Sequence, residues 1–197
     1  TASTMACMVE SLGLSLPGNA AIPAADSRRK VLAQMSGIRI VEMVKENLRL
    51  SDVLTREAFE NAIITNAAIG GSTNFIIHLL AIAGRMGVPL DISDFDKLSS
   101  NVPFIANLQP SGKYFMEDLY YAGGLPAVMK EIDRFLRGSC ITVNGKTIKE
   151  NYSTAECYNR EIIATADKPF NPLSGVAILK GNLCENGAVM KPSAASP

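Results

Sequence analysis

The sequence has no surplus of charge: 19 lysines and arginines balance 19 aspartates and glutamates over 197 residues. A chain without net charge presents no electrostatic footprint for DNA, RNA or an anionic membrane surface, so neither nucleic acid nor membrane is expected as a partner. Its apolar runs fall short of the roughly 18–20 residues that cross a bilayer. It has no C-x-x-C pair, since Cys7, Cys140, Cys157 and Cys184 stand far apart, and the one histidine, His78, completes no zinc site with them. No signal-peptide pattern is visible. Reduced thiols in a cytoplasmic protein, or a mitochondrial-matrix one if the source is eukaryotic, are the expectation. The Lys-Ser/Thr ending of a P-loop and the G-x-G-x-x-G fingerprint are also missing, which excludes two familiar phosphate cradles.

What is present is apolar. Hydrophobic residues make up 47 % of the chain and charged residues 19 %, a balance that suits a well-buried interior rather than disorder. Ser3 is placed to cap a helix through MACMVESLGL, in which Met5, Met8, Val9 and Leu12 recur at helical spacing. A long helix is predicted from about Ala25 to Leu48, with Val31, Met35, Ile38, Val41, Val44 and Leu48 on its apolar face and Gly37 as a weak point in the middle. Thr55 caps the next helix, TREAFENAIITNAA, with Glu57 where the helix dipole favours a negative charge.

Beyond Val88 the texture changes. DISDFDKLSS reads as a short capped helix and VPFIANL as a buried strand, and a helical stretch from Glu117 to Leu136 is interrupted by AGGLP. ITVNGKTI then reads as a hairpin around Asn144-Gly145, and VAILKGNL and GAVMKP as further strands. The expected fold is α/β: a mostly helical α/β body over residues 1–166, a linker at 167–174 bearing Pro169 and Pro172, and the start of a β-rich domain over 175–197. The chain begins at Thr1 and stops at SAASP, so it reads as an internal piece of a longer protein.

The stretch richest in chemistry is AAIGGSTNFIIHLLAIAG, residues 67–84. Gly70, Gly71, Ser72, Thr73 and Asn74 form a flexible polar collar ahead of an apolar helix, and His78 lies four residues past Asn74 on nearly the same face. A helix start offers unpaired N–H groups that bind carboxylate or phosphate, and glycines let backbone come close to a ligand. Two readings stay open. One is an anion or substrate cradle with His78 nearby; the other is a capped buried helix with His78 hydrogen-bonded in the core. Glu117 and Asp118 in PSGKYFMED read as a solvated first turn rather than an acid–base pair. Cys184 reads as a packed thiol, because no basic neighbour in sequence would lower its pKa.

TASTMACMVESLGLSLPGNAAIPA, NAAIGGSTNFIIHLLAIAG, PSGKYFMEDLYYAGGLPAVMKE and GNLCENGAVMKPSAAS resemble successive blocks of the dihydroxy-acid dehydratase and 6-phosphogluconate dehydratase family. VKENLRLSDVLTREAFENAI and MEDLYYAGGLP resemble its sugar-acid (aldonate) dehydratases more than the branched-chain amino-acid enzyme. The resemblance implies a hydro-lyase that converts a 2,3-dihydroxy acid into a 2-keto-3-deoxy acid, using an iron–sulfur cluster, [2Fe–2S] or [4Fe–4S], and Mg²⁺. It also implies a small hydroxy-acid substrate and a homo-oligomeric parent, dimer or tetramer. The family's cluster cysteines, its catalytic serine and most of its magnesium ligands align outside these residues, so no catalytic or metal-binding residue is assigned here. Cys184-Glu185-Asn186 replaces the family's usual Ala-Pro-Asp. Ser3 and Thr4 are expected beside the cluster pocket, and the collar Gly70 to Asn74 against substrate or a partner domain. A dihydroxy-acid dehydratase of branched-chain synthesis and a non-catalytic carboxylate-binding or structural paralogue are the alternatives.

Overall fold

The computed structural model describes residues 3–192. At its centre lies a helix spanning Arg56–Ile69, buried from Ala58 to Ile69 except at Glu60. A helix apolar on all sides belongs inside a domain rather than on its surface, and the run AFENAIITNAAI has that character. Thr55 caps it as expected, its hydroxyl accepting from Ala58 N. In chain order the helices are α1 (Thr4–Ser11), α2 (Ser27–Glu46), α3 (Leu50–Val53), the central α4 (Arg56–Ile69), α5 (Asn74–Met86), α6 (Ile92–Ser99), α7 (Met116–Tyr121), α8 (Gly124–Glu131) and α9 (Ile148–Tyr152). Helices α1, α5, α6 and α8 pack around α4. Phe75 of α5 meets Phe95 of α6 edge-on, with ring centroids 5.3 Å apart.

The expected strand VPFIANL is buried and extended, but among the described residues it pairs only through single bridges, Phe104 with Asn171, Ala106 with Ile163 and Leu108 with Tyr114. Ile105 N donates to Ala68 O at 2.9 Å, so this segment is seated directly on the end of α4. The Asn144-Gly145 turn forms, with Gly145 at φ +81° and one bridge from Ile141 to Thr147, and α9 follows where more strand was expected. The AGGLP joint parts α7 from α8, with Gly123 at φ +120°. The regular sheet is a two-stranded antiparallel hairpin near the C-terminus, β1 (Ala177–Gly181) with β2 (Cys184–Met190). The fold is therefore a mostly helical body followed by the start of a sheet. Residues 193–197 of the expected β-rich segment lie outside the described residues. Among the described residues no helix is long and apolar enough to cross a membrane, and all four cysteines are free, with Cys184 exposed rather than packed.

Helix α2 departs from the sequence reading in its orientation. It runs through Gly37 without a break, and its apolar face is the one expected, but that face looks outward: Met35 is 51 % exposed and Val44 76 %. The inward side carries Met43, which packs with Val53 and Val143. The helix is held near its ends. Arg28 pairs with Asp26 and sits 4.7 Å over the Tyr120 ring, while Arg39 donates to Val143 O and pairs with Glu46.

Glu10 anchors the loop after α1. Its buried carboxylate accepts from Gly18 N and Ala20 N, both at 2.7 Å. Burial raises its pKa from 4.5 to about 7, opposed by those two N–H bonds. Between these values the folded protein holds a proton that the unfolded chain has released, so the contribution of Glu10 to stability falls as pH rises through that window. The ion-paired carboxylates Asp26 and Asp94 are shifted down, so their stabilisation is lost at lower pH. The melting temperature should fall from about pH 5 to about pH 8, and Glu10→Gln should flatten that slope while lowering stability throughout, because its amide sets a donor against one of the two N–H groups. Gly37→Ala, at a mid-helix position with nothing within 4 Å, should raise stability by about 0.5–1 kcal/mol in denaturant titrations.

Candidate functional site

Helix α4 cannot continue past Ile69, because Gly70 takes the left-handed conformation with φ +58°. The chain then turns through Gly71, Ser72 and Thr73 and re-enters helix at Asn74. This collar is clamped from beneath and from the side. Gly71 N donates to Asn66 O at 3.2 Å, and Ser72 N donates to the hydroxyl of Thr4, the first residue of α1, at 3.0 Å. A Cβ on Gly71 would fall 2.1 Å from Asn66 Oδ1 and 2.8 Å from Thr4 Cγ2, and a Cβ on Gly70 would fall 2.5 Å from the Phe104 ring. Both positions need glycine for space, and Gly70 also for its backbone.

These elements open on a cavity of about 780 Å³. Ser3, Thr4 and Cys7 of α1 form one wall and Ile69 to Thr73 another. The third comes from Leu108–Pro110 and Tyr114–Met116, and Lys191, just past β2, completes the lining. Six of the eight residues singled out in the sequence thus converge: Ser3, Thr4, Gly70, Gly71, Ser72 and Thr73. Asn74 and His78 do not line the cavity; both are exposed. The expectation that His78 is buried in the core, or close to a cradle, fails on helix geometry. The face of α5 that packs inward carries Phe75, Ile76, Leu79 and Ala83, and residue 78 points away from it. No hydroxyl caps α5 through Thr73, although Ser72 Oγ accepts from Asn74 N at 3.3 Å.

Sequence reasoning missed Cys7, the 108–110 and 114–116 segments, and Lys191. PSGKYFMED drew notice for its acids, yet its aromatic and apolar residues form the wall. Asp118 caps its own helix by accepting from Phe115 N at 2.7 Å, and Glu117 is exposed. Lys191 closes a stretch noticed for Cys184; the available signal was a single lysine directly after an apolar strand.

The electrostatics of the cavity are simple. Burial, aided by the charge of Glu10, pushes the Cys7 thiol well above its ordinary pKa, so it stays protonated and un-nucleophilic at neutral pH. Tyr114 donates its hydroxyl to Glu161 at 2.8 Å and is also shifted up, that hydrogen bond being the main cause. Asn66, fully buried beneath Gly71, has no hydrogen-bond partner at either amide atom among the described residues. Among the described residues the lining offers hydroxyls, an amide, one protonated thiol and the Lys191 ammonium, with no carboxylate and no imidazole. Iron–sulfur clusters need several thiolates and Mg²⁺ needs carboxylate oxygens, so these residues do not make a ligand shell for either group. Among the described residues no three His, Cys, Asp or Glu side chains cluster as a metal site. The arrangement can bind and orient a small polar molecule.

Comparison with known proteins gives two family matches. Residues 1–151 match the dihydroxy-acid/6-phosphogluconate dehydratase N-terminal description and residues 161–197 the corresponding C-terminal one. The chain is 58 % identical over 195 residues to an L-arabonate dehydratase of Azospirillum brasilense, covering 98 % of this chain and 33 % of that protein. It is 54 % identical over 190 residues to an L-arabinonate dehydratase of Rhizobium leguminosarum bv. trifolii, covering 95 % and 33 % respectively. A dihydroxy-acid dehydratase of Caldanaerobacter subterraneus is 46 % identical over 199 residues, covering all of this chain and 36 % of the relative. The chain thus spans about a third of the length of these relatives.

Substituting the collar glycines tests how tightly this wall is built. Gly70→Ala should cost about 2–4 kcal/mol, from left-handed strain together with overlap on Phe104. Gly71→Ala should cost about 1–3 kcal/mol from overlap with Asn66 alone. Denaturant midpoints would check both, and equal costs would show that backbone conformation at Gly70 adds nothing.

Proposed function

Because the chain belongs to the dihydroxy-acid/6-phosphogluconate dehydratase family, we propose that its parent protein removes water from a 2,3-dihydroxy sugar acid and that these residues build one wall of the substrate pocket. The observation that carries the reading is the cavity of about 780 Å³. It is large enough for a five- or six-carbon acid, and it is rimmed by all of the residues that the family resemblance had marked except Asn74. The higher identity to relatives named for arabonate and arabinonate, 58 % and 54 % against 46 % for the dihydroxy-acid dehydratase, favours an aldonate substrate.

The roles of this segment follow from its donors. Ser72 and Thr73 present hydroxyls beside a backbone that glycine keeps thin, which suits the successive hydroxyls of a polyol chain. Phe115 and Met116 supply an apolar wall that excludes water from one side of the ligand. Loss of water from such an acid needs a Lewis acid to take up charge on the departing hydroxide. The iron–sulfur cluster and Mg²⁺ implied by the resemblance would supply that chemistry, on ligands outside this chain. A homo-oligomeric parent belongs to the same reading.

Full-length protein should form a 2-keto acid from L-arabonate or a related pentonate with a kcat/KM at least about tenfold above that for a branched 2,3-dihydroxy acid. The reverse order would move the assignment to branched-chain synthesis. Absence of keto acid from either, with retained binding of the acids, would leave a carboxylate-binding paralogue. Thr73→Val should raise KM about tenfold at unchanged melting temperature, as loss of one substrate hydrogen bond would.

A further inference from the structure

Single apolar side chains exposed on an outer surface are ordinary and call for no explanation. Phe115 is a different case. Among the described residues it is the one large, exposed hydrophobic side chain that also lines the cavity, and it is 61 % exposed. The backbone at Phe115 is extended, with φ −98° and ψ 171°, so side chains next to one another leave it on opposite sides. Tyr114 and Met116 accordingly pack against the hydrophobic core, whereas the ring between them is left to the cavity and to solvent. No other ring and no cation stacks on it among the described residues.

The backbone that carries the ring is fixed by hydrogen bonds on both sides. Tyr114 N donates to Asn107 O at 3.0 Å and Gln109 N to Tyr114 O at 2.9 Å. Phe115 N donates to Asp118 Oδ2 at 2.7 Å, and Leu119 N donates back to Phe115 O at 3.1 Å. Glu161 ties the loop to a distant part of the chain, accepting from the Tyr114 hydroxyl on its side chain and from Asn107 Nδ2 on its backbone. Gly112 lies so close to Asn107 that a Cβ there would fall 2.4 Å from Asn107 Oδ1. A ring held out on so firm a loop sacrifices apolar burial while the cavity is empty, and it gives up little backbone freedom when a ligand covers it.

We infer that Phe115 is a specificity-determining residue that stacks on the C–H face of the substrate chain beyond C3, and so selects longer polyhydroxy acids over short ones. The inference rests on the dehydratase reading for the identity of the acid. The reacting portion, C1 to C3, is common to every 2,3-dihydroxy acid and calls for polar and electrophilic groups, which an aromatic ring does not supply. Only the tail differs from one such acid to another. Each tail carbon carries C–H as well as hydroxyl, and the negative face of the ring attracts the weakly positive C–H hydrogens while both surfaces shed water. Ser72 and Thr73 stand on another wall of the same cavity, so the hydroxyl edge and the C–H face of the tail meet different surfaces.

The test uses the full-length protein with Phe115→Ala, Phe115→Tyr and Phe115→Trp, and two probes: L-arabonate, and glycerate of the same C2 configuration, which has no tail. L-arabonate is titrated by calorimetry and glycerate by competition against it. Phe115→Ala should weaken L-arabonate about threefold to tenfold and glycerate less than about twofold, and Phe115→Tyr, which keeps the ring, should recover most of the loss. In turnover Phe115→Ala should raise KM for L-arabonate more than it lowers kcat. Phe115→Trp gives a readout even where Phe115→Ala does not fold: the added indole emission should change on L-arabonate and not on glycerate. Equal losses for the two acids, no loss for either, or an indole blind to L-arabonate would overturn the assignment. Equal losses with a lowered melting temperature would overturn it too, making Phe115 a packing residue of the parent protein. The two readings fail separately. Binding of L-arabonate that depends on Phe115, without formation of a keto acid, sinks the dehydratase proposal and leaves this one. Turnover in which Phe115→Ala treats both acids alike does the opposite.

Discussion

The contact on which the rest of this structure depends is backbone against backbone: Gly175 lying on Gly70 at the C-terminal end of the central helix. Neither residue could carry a side chain there. A Cβ on Gly175 would meet Gly70 Cα at 2.5 Å, and a Cβ on Gly70 would run into the Phe104 ring at the same distance. Through that point four segments are locked together. Helix α4 ends there, the collar begins there, the extended segment around Phe104 crosses it, and the chain leaves it for the hairpin. Remove the close approach and the hairpin loses its origin, and with it the placement of Lys191 at the cavity.

Burial of α4 on nearly all sides makes this rigid, and its polar residues show how burial is tolerated. Asn61 satisfies both of its polar atoms on the backbone of Arg137, accepting at 2.7 Å and donating at 3.0 Å, so a core amide becomes a latch on a distant loop. Asn66 and Thr65, one turn further on, find no such partner among the described residues. An unpaired buried amide costs about 1–3 kcal/mol, and it sits directly under the collar. Unmet polarity beneath the collar marks this region as one shaped for something other than stability.

Much of the local structure was legible because short-range rules govern it. Thr55 caps the helix it was expected to cap, DISDFDKLSS forms a short helix with Asp91 as its cap, the Asn144-Gly145 turn forms, and Gly123 parts α7 from α8. Orientation was less legible. The apolar stripe of α2 has the period of a core-facing helix, yet Val31, Met35, Ile38, Val41 and Val44 are exposed while Met43, on the other side, is buried. Periodicity tells which residues share a face and not what the face meets. His78 failed for a related reason: an apolar run suggested burial all round, but α5 buries one stripe only. The 108–110 and 114–116 walls were unreadable because each is an ordinary apolar stretch until α1 and the collar are brought opposite it.

By itself the sequence determined the class of the protein, the presence of its main helices, the Thr55 cap though not the expected Ser3 one, and the residues of the collar, because these rest on composition, on hydrogen bonds within about four residues and on blocks that resemble a known family. Tertiary structure alone decided that Ser3 and Thr4 face the collar across 68 positions of chain, that His78 lies outside, and that Lys191 closes the cavity. The physical reason is that such proximities come from long-range packing, here the seating of Gly175 on Gly70, and no local pattern encodes the distance between two segments that meet only through a third.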